Sequence, residues 1–334
     1  MKKIFIIAEI GNLHNGSIEL AKCFIKKVAL CGADAIKFQT HIFDAESLPD
    51  APNPPYFKTE SRKDYFERTA FNFSQWRKIK KYAEEKYGIE FMSSVFSIEA
   101  VDLLERIGVK RHKIPSGEVT NIPLLEKIAK TKKPVLLSSG MSTWRELDRA
   151  IEVLKINGCR NITILQCTSM YPCPLEKVGL NILEDLKKRY CLPVGLSDHT
   201  LGFSASIGAV ILGARVIEKH FTLSRKMCGS DAKHSLEPNE FKKFVQEIRD
   251  IEKIISVKLD KDKLSKELKN MKIIFEKSIV ARKYIPKGTK ITFDMLAFKK
   301  PGDGIRADRY REILGRKTKV DIPKNIQILW KMLE

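Results

Sequence analysis

The feature that most constrains this chain is a repeat: a short apolar run, a polar break, then an amphipathic stretch, eight times in succession. The runs are IFIIAE (4–9), DAIKFQ (34–39), IEFMSS (89–94), RHKIPS (111–116), PVLLSS (134–139), ITILQC (162–167), PVGLSD (193–198) and ARVIEK (214–219). They lack strict alternation, as expected of strands covered on both faces. Between them, stretches such as SIELAKCFIKKVALCG and TWRELDRAIEVLKING place apolar residues every three or four positions, which is the helical period. Several open on Ser or Thr and close on Gly, residues that start and stop helices. Eight such units, closed by a last helix over 238–256, predict an α/β chain folded as a (β/α)8 TIM barrel. The competing open, doubly wound sheet would carry GxGxxG after its first strand, and no such motif follows residue 9.

The pattern changes after the barrel segment, 1–256. Residues 257–274 are rich in Lys, Asp and Leu and read as a linker. Over 275–334, short β-prone pieces alternate with turns, two of them the related Ile285–Gly288 and Ile322–Asn325. This predicts a small all-β module, too small to be very stable alone.

In such barrels the chemistry sits at the C-terminal ends of the strands. Read in order, those ends give Glu9; Lys37, Gln39 and His41; Ser93 and Ser94; Lys113, Ser116 and Glu118; Ser138 and Ser139. They continue with Thr168, Ser169 and Tyr171, then Ser197, Asp198 and His199, then Glu218 and His220. Lys37 and Lys113 lie inside apolar runs, where a lysine needs a partner or suffers desolvation. With the hydroxyls they suit a bound phosphate; a Schiff-base lysine is the alternative. His199 and His220, on neighbouring strands and beside carboxylates, suit an open divalent-metal site. His14 falls near the same mouth or caps its loop, His112 reads as structural, and little decides the roles of His41 and His234.

Bulk numbers narrow the classes. The formal charge of +20 is spread along the chain, without an arginine-rich arm or an RNA-binding or zinc-finger signature. It reads as a solvated basic surface or attraction for small anionic substrates. Nucleic acid is not an expected partner, although a basic nucleic-acid or surface-binding barrel is the non-enzyme alternative. The seven cysteines lack CxxC spacing, which argues for free thiols in a reducing compartment. The apolar run after Lys3 is short for a signal peptide, and nothing approaches the length of a membrane span. The cytoplasm is the expected location, with no membrane partner.

The strand-end segments resemble one family, the sialic acid synthases and related bacterial nonulosonate synthases. The resemblance rests on AEIGNLHNG (8–16), IKFQTH (36–41), HKIPSGE (112–118), LLSSGMST (136–143) and QCTSMYP (166–172). It continues through GLSDHTLG (195–202), IEKHFTL (217–223) and GSDAKHSLEP (229–238), and KSIVARKYIPKG with KKPGDGI is similar to the antifreeze-like SAF module. The resemblance implies condensation of phosphoenolpyruvate with an open-chain acetamido sugar to a nine-carbon 2-keto acid and phosphate. It implies a divalent metal on His199 and His220, usually Mn2+, with Mg2+ or Co2+ as alternatives. It also implies that Glu218 orients a water and that Glu9 acts beside the sugar. Lys37, Lys113, Ser94, Ser116, Ser138 and Ser197 then hold phosphoenolpyruvate, and Gln39, Tyr171, Asp231 and Lys300 hold the sugar. A domain-swapped homodimer, with the SAF module capping the partner's site, is implied too. The chain departs from the usual pattern at Lys300, where the family's sialic acid members commonly carry arginine, and at Ser169 and Ser230. These changes are on the sugar side. The pattern as a whole is most like the bacterial N,N'-diacetyllegionaminic acid synthases, with N-acetylneuraminate synthesis as the alternative.

Overall fold

The computed structural model describes residues 3–53 and 60–334. The chain divides into two units, Met1–Ser256 and Val257–Glu334. In the first, eight parallel strands close into a barrel in sequence order. They are β1 (Phe5–Gly11), β2 (Ala35–Thr40), β3 (Glu90–Val95), β4 (His112–Ile114), β5 (Val135–Ser138), β6 (Ile162–Cys167), β7 (Val194–Asp198) and β8 (Val216–His220). β4 is only three residues long, so Ser116 and Glu118 come from a 3₁₀ turn beyond it and not from the strand.

Local chemistry explains the helices between them. Ile18–Leu30 starts where the Ser17 hydroxyl accepts from the Leu20 N–H, and it buries Ala21, Phe24, Ile25 and Val28 at helical spacing. Trp144–Ile156 opens on a reciprocal capping box between Thr143 and Glu146. These helices cover the outside of the barrel, while Ile7, Ala35, Met92, Leu136, Leu165 and Val216 fill its interior. Above that apolar layer the inward positions turn polar.

Strand register then decides which polar groups meet. Glu9 is level with Lys37 on one side and His220 on the other. Gln39 is level with Ser94, and Ser94 with Lys113. Ser197 is level with Glu218, and Asp198 with Lys219. Because side chains alternate along a strand, Ser197 and Glu218 face inward, whereas Asp198 and Lys219 point into the helical layer.

In the second unit, β9 (Ser278–Ala281) pairs antiparallel with β10 (Leu296–Lys299). Ile285 and Ile322 form a bridge that joins the two related turns. Isoleucines dominate the core, with Ile279, Ile285, Ile291, Ile313, Ile322 and Ile328 all buried. A short helix, Tyr310–Ile313, is set within this small β module, and the helices Lys261–Glu267 and Lys269–Phe275 occupy the stretch before β9. Among the described residues, no helix is long and apolar enough to cross a membrane.

Candidate active site

A cavity of about 600 Å³ opens at the C-terminal end of the barrel. Every residue of the first 256 positions to which the family resemblance gives a role lines it, whereas Ser93, Ser139, Thr168 and Asp198, also read at strand ends, do not. Lys300 belongs to the second unit, where its ammonium sits 4.8 Å from the centre of the Phe275 ring.

At the cavity floor is a buried charge cluster. Lys37 Nζ lies 2.7 Å from Glu9 Oε2 and 3.6 Å from Glu218 Oε1. Lys113 Nζ lies 3.2 Å from the same Glu218 oxygen. Lys37 also donates to Ser94 Oγ at 2.8 Å, and Ser197 Oγ donates to Glu218 Oε1 at 2.9 Å. Burial disfavours the Lys37 ammonium, but Glu218 and Glu9 together raise it above its ordinary range. Burial lowers Lys113, against the pull of Glu218.

The same burial separates the two carboxylates. It pushes Glu9 up to about 7, in spite of Lys37. Burial acts to raise Glu218 also, but Lys113, Lys37 and the Ser197 hydroxyl hold it down at about 2. One carboxyl can therefore carry a proton near neutrality while the other stays ionised, the kind of separation that acid and base chemistry requires. Glu218 Oε2 and Ser138 Oγ are buried at this floor without a hydrogen-bond partner in the protein. Buried polar atoms without partners are rare, and these two point to a polar ligand.

Three hydroxyl and thiol groups crowd beside this cluster. Ser116 Oγ is 3.1 Å from Cys167 Sγ. A side chain at Gly140 would collide with Ser116, Ser169 and Cys167, so glycine lets that corner of the cavity form. Gly11 has a positive φ of 52°, and a Cβ there would strike Asp231 Oδ2; the bare backbone lets Asp231 approach β1.

Across the cavity, His199 and His220 have ring centres 5.5 Å apart. His199 Nδ1 is 2.9 Å from the Thr168 carbonyl oxygen. A carbonyl only accepts, so Nδ1 carries the hydrogen and Nε2 keeps its lone pair, near Ser197 Oγ at 3.4 Å. Burial lowers His199 to about 4 and His220 to about 3, which leaves both rings neutral. Asp231 Oδ2 lies 3.8 Å from His220 Nδ1, and the Tyr171 ring lies 4.4 Å from that of His199. Among the described residues, no three His, Cys, Asp or Glu side chains form a ready-made metal cluster. The donor set nevertheless fits an open divalent site, with two neutral imidazoles and a carboxylate within reach.

Other placements sharpen or correct the sequence reading. His14 is not at the mouth: it is fully buried, stacked on Phe71 with ring centres 4.4 Å apart, and its Nδ1 accepts from the Gly16 N–H. It caps its loop. Asp198 faces away from the cavity, in a fully buried pair with Lys219 at 3.1 Å, and accepts from the Thr200 N–H and Ser206 hydroxyl. It braces the segment that carries His199. His112 is buried and meets Glu105 at 2.8 Å, outside the cavity. His41, by contrast, lines the cavity, as do Arg62, Phe66, Phe96 and Cys167. Sequence reasoning had no signal for those last four, which enter from a helix, a strand exit and an apolar run.

Fold and site together define a (β/α)8-barrel protein that can hold an anion between two buried lysines, beside a metal-competent pair of imidazoles. The chain belongs to the NeuB family, whose model matches residues 24–260, and residues 276–334 match the SAF domain. It is 44% identical over 325 residues to the N,N'-diacetyllegionaminic acid synthase of Campylobacter jejuni, covering 95% of this chain and 96% of that one. A pseudaminic acid synthase of the same organism is 38% identical over 327 residues, covering 96% and 94%. The crystal structure of an N-acetylneuraminic acid synthetase from Leptospira borgpetersenii, in complex with citrate, superposes with a TM-score of 0.70. It is 31% identical, over 80% of this chain and 92% of that one.

Proposed function

We propose that this protein is a phosphoenolpyruvate-dependent nonulosonic acid synthase, and that its sugar substrate is 2,4-diacetamido-2,4,6-trideoxymannose, giving N,N'-diacetyllegionaminate. The observation that carries the reaction class is the floor of the cavity. There two buried lysines bracket Glu218 while Ser138 Oγ has no partner in the protein. That arrangement accepts the phosphate and carboxylate of phosphoenolpyruvate, with Ser94, Ser116 and Ser197 as further donors. The sugar assignment draws on the 44% identity to a legionaminic acid synthase and on the departures at Lys300, Ser169 and Ser230. N-acetylmannosamine, leading to N-acetylneuraminate, is the alternative.

The steps follow from the residues present. C3 of phosphoenolpyruvate forms a bond to the aldehyde carbon, and the aldehyde oxygen takes a proton. Glu9, which retains its proton up to about pH 7, supplies it. Water then adds to C2. Glu218 stays ionised, and its unpartnered Oε2 accepts a hydrogen bond from that water. The water's surplus proton returns to Glu9. The tetrahedral C2 collapses by breaking its C–O bond to phosphate as the C2 hydroxyl proton passes to the departing phosphate, which leaves the 2-keto acid. A divalent ion held by His199 and His220, with Asp231 in reach, would supply Lewis-acid polarisation of the aldehyde. Gln39, Tyr171 and Asp231 orient the sugar, and Lys300 of a partner subunit in a domain-swapped dimer would complete its enclosure. Side-by-side turnover with the two sugars tests the assignment: a higher kcat/KM for N-acetylmannosamine would overturn it.

A second reading has one observation behind it. Burial lowers Lys113, as in a Schiff-base nucleophile. Borohydride trapping of pyruvate on Lys113 would establish that chemistry, whereas full activity after borohydride treatment supports the condensation.

A further inference from the structure

The mechanism above leaves His41 unused, although it lines the cavity and its side chain is only 8% exposed. Its ring is clamped on both faces. Phe66 stacks on one side, with ring centres 3.8 Å apart and planes 7° apart; Phe96 stacks on the other at 4.0 Å and 20°. Both ring nitrogens are engaged. Nδ1 lies 2.6 Å from Glu46 Oε1, and Nε2 lies 3.2 Å from Gln39 Oε1. Gln39 in turn donates from Nε2 to Glu9 Oε1 at 2.9 Å, and Glu9 reaches Lys37 through its other oxygen at 2.7 Å. An unbroken chain thus runs from Glu46 on the cavity wall to the lysine at its floor.

Hydrogen counting fixes the direction of this chain. Glu9 Oε1 accepts from the Gly11 N–H at 3.1 Å and lies 2.9 Å from the Gln39 amide; Glu9 Oε2 is the oxygen left to carry the proton, so an amide N–H is the complementary group for Gln39 to present. That puts the Gln39 carbonyl oxygen against His41 Nε2, and a carbonyl can only accept. His41 Nε2 must therefore carry a hydrogen. Nδ1 faces a carboxylate, and one proton lies between them on either the ring or Glu46. Both cases leave Nε2–H in place. A glutamine amide turned by 180° has almost the same shape, so packing alone does not choose its orientation.

We infer that His41 is a positioning residue: held by Glu46 and two phenyl faces, it locks the Gln39 amide with its nitrogen towards Glu9. It thereby sets how Gln39 and Glu9 meet the aldehyde sugar. The kinetic part rests on the synthase reading, whereas the ring chemistry does not.

The test uses the full-length protein. Histidine ring 15N–1H correlation spectra, with His41 assigned by the signal missing from His41→Phe, should show Nε2 protonated. A bare Nε2 overturns the inference, whatever the enzyme's substrate. In turnover, His41→Phe keeps the stack and deletes both hydrogen bonds. It should lower kcat/KM for the sugar about tenfold, with the KM for phosphoenolpyruvate moving less than about twofold. Glu46→Leu should lose about as much, while Glu46→Gln, whose amide can still donate to Nδ1, should lose clearly less. Equal losses for the two Glu46 variants, or equal effects on both substrates, would show a merely structural role. If the wild-type protein turns over neither sugar, the synthase reading fails, and the spectra still decide the hydrogen on Nε2.

Discussion

Asp198→Asn tests whether the imidazole site is braced from behind. Asp198 and Lys219 are both fully buried, 3.1 Å apart, between the barrel and the helix Ser204–Ile211. At that distance, with an effective dielectric of about 20, their attraction is about 5 kcal/mol. The carboxylate also accepts from Thr200 N at 2.8 Å and Ser206 Oγ at 2.6 Å. An asparagine keeps the shape, loses the charge, and can satisfy only one oxygen's share of these donors. Lys219 is then a buried cation without its counter-charge. Burial already lowers it, so it can shed its proton, and that escape limits the loss. The expected destabilisation is about 3 kcal/mol, the lower end for breaking a buried pair. Urea titrations at pH 7, followed by circular dichroism, should be run on Asp198→Asn, Lys219→Met and the double variant. The double variant should cost less than the sum of the two, with a coupling of about 2 kcal/mol. A cost below about 1 kcal/mol for Asp198→Asn, or strict additivity, would refute the bracing argument.

Three further outcomes are expected. Because burial raises Glu9 to about 7, its proton is present below that pH and lost above it. As the proton donor it should make kcat fall about tenfold per pH unit on the alkaline side, and Glu9→Gln should lower kcat at least about a hundredfold and abolish that limb; an unchanged profile would exclude it as the donor. Chelation with EDTA should cost about a hundredfold or more in turnover and Mn2+ should restore it, whereas full activity in excess chelator would remove the metal from the proposal. Lys300→Ala should raise the KM for the sugar about tenfold, as for loss of a charged hydrogen bond, and leave that for phosphoenolpyruvate alone; no change in either would take Lys300 out of the sugar site.

Much of this architecture could be read from the sequence because each barrel unit carries its own local signals. Apolar runs, Ser or Thr caps and strand-end polar residues locate themselves without knowledge of the rest of the chain. Residue alternation even separates Glu218 and His220 from Lys219. What escaped was everything that depends on loops folding back. His41 is given its meaning by Phe66 and Phe96, which lie on a different helix and at a different strand exit, and no spacing in the sequence pairs them. The position of His14 after β1 left both the mouth and a loop cap open. Positive φ angles at Asn15 and Gly16 turn the loop, and the ring is buried against Phe71. Asp198 sits between two inward residues, Ser197 and His199, so alternation turns it outward, but its partners Lys219 and Ser206 come from the next strand and helix.

The central claim is that the cavity joins phosphoenolpyruvate to an acetamido aldehyde and then releases phosphate by breaking the C–O bond. Phosphoenolpyruvate labelled with 18O in its bridging position should be incubated with the protein, Mn2+ and 2,4-diacetamido-2,4,6-trideoxymannose, and both products analysed by mass spectrometry. The account predicts a nine-carbon 2-keto acid without label and inorganic phosphate that carries it. Label retained in the keto acid would contradict the collapse at C2, and the absence of any nine-carbon product with either candidate sugar would contradict the function itself.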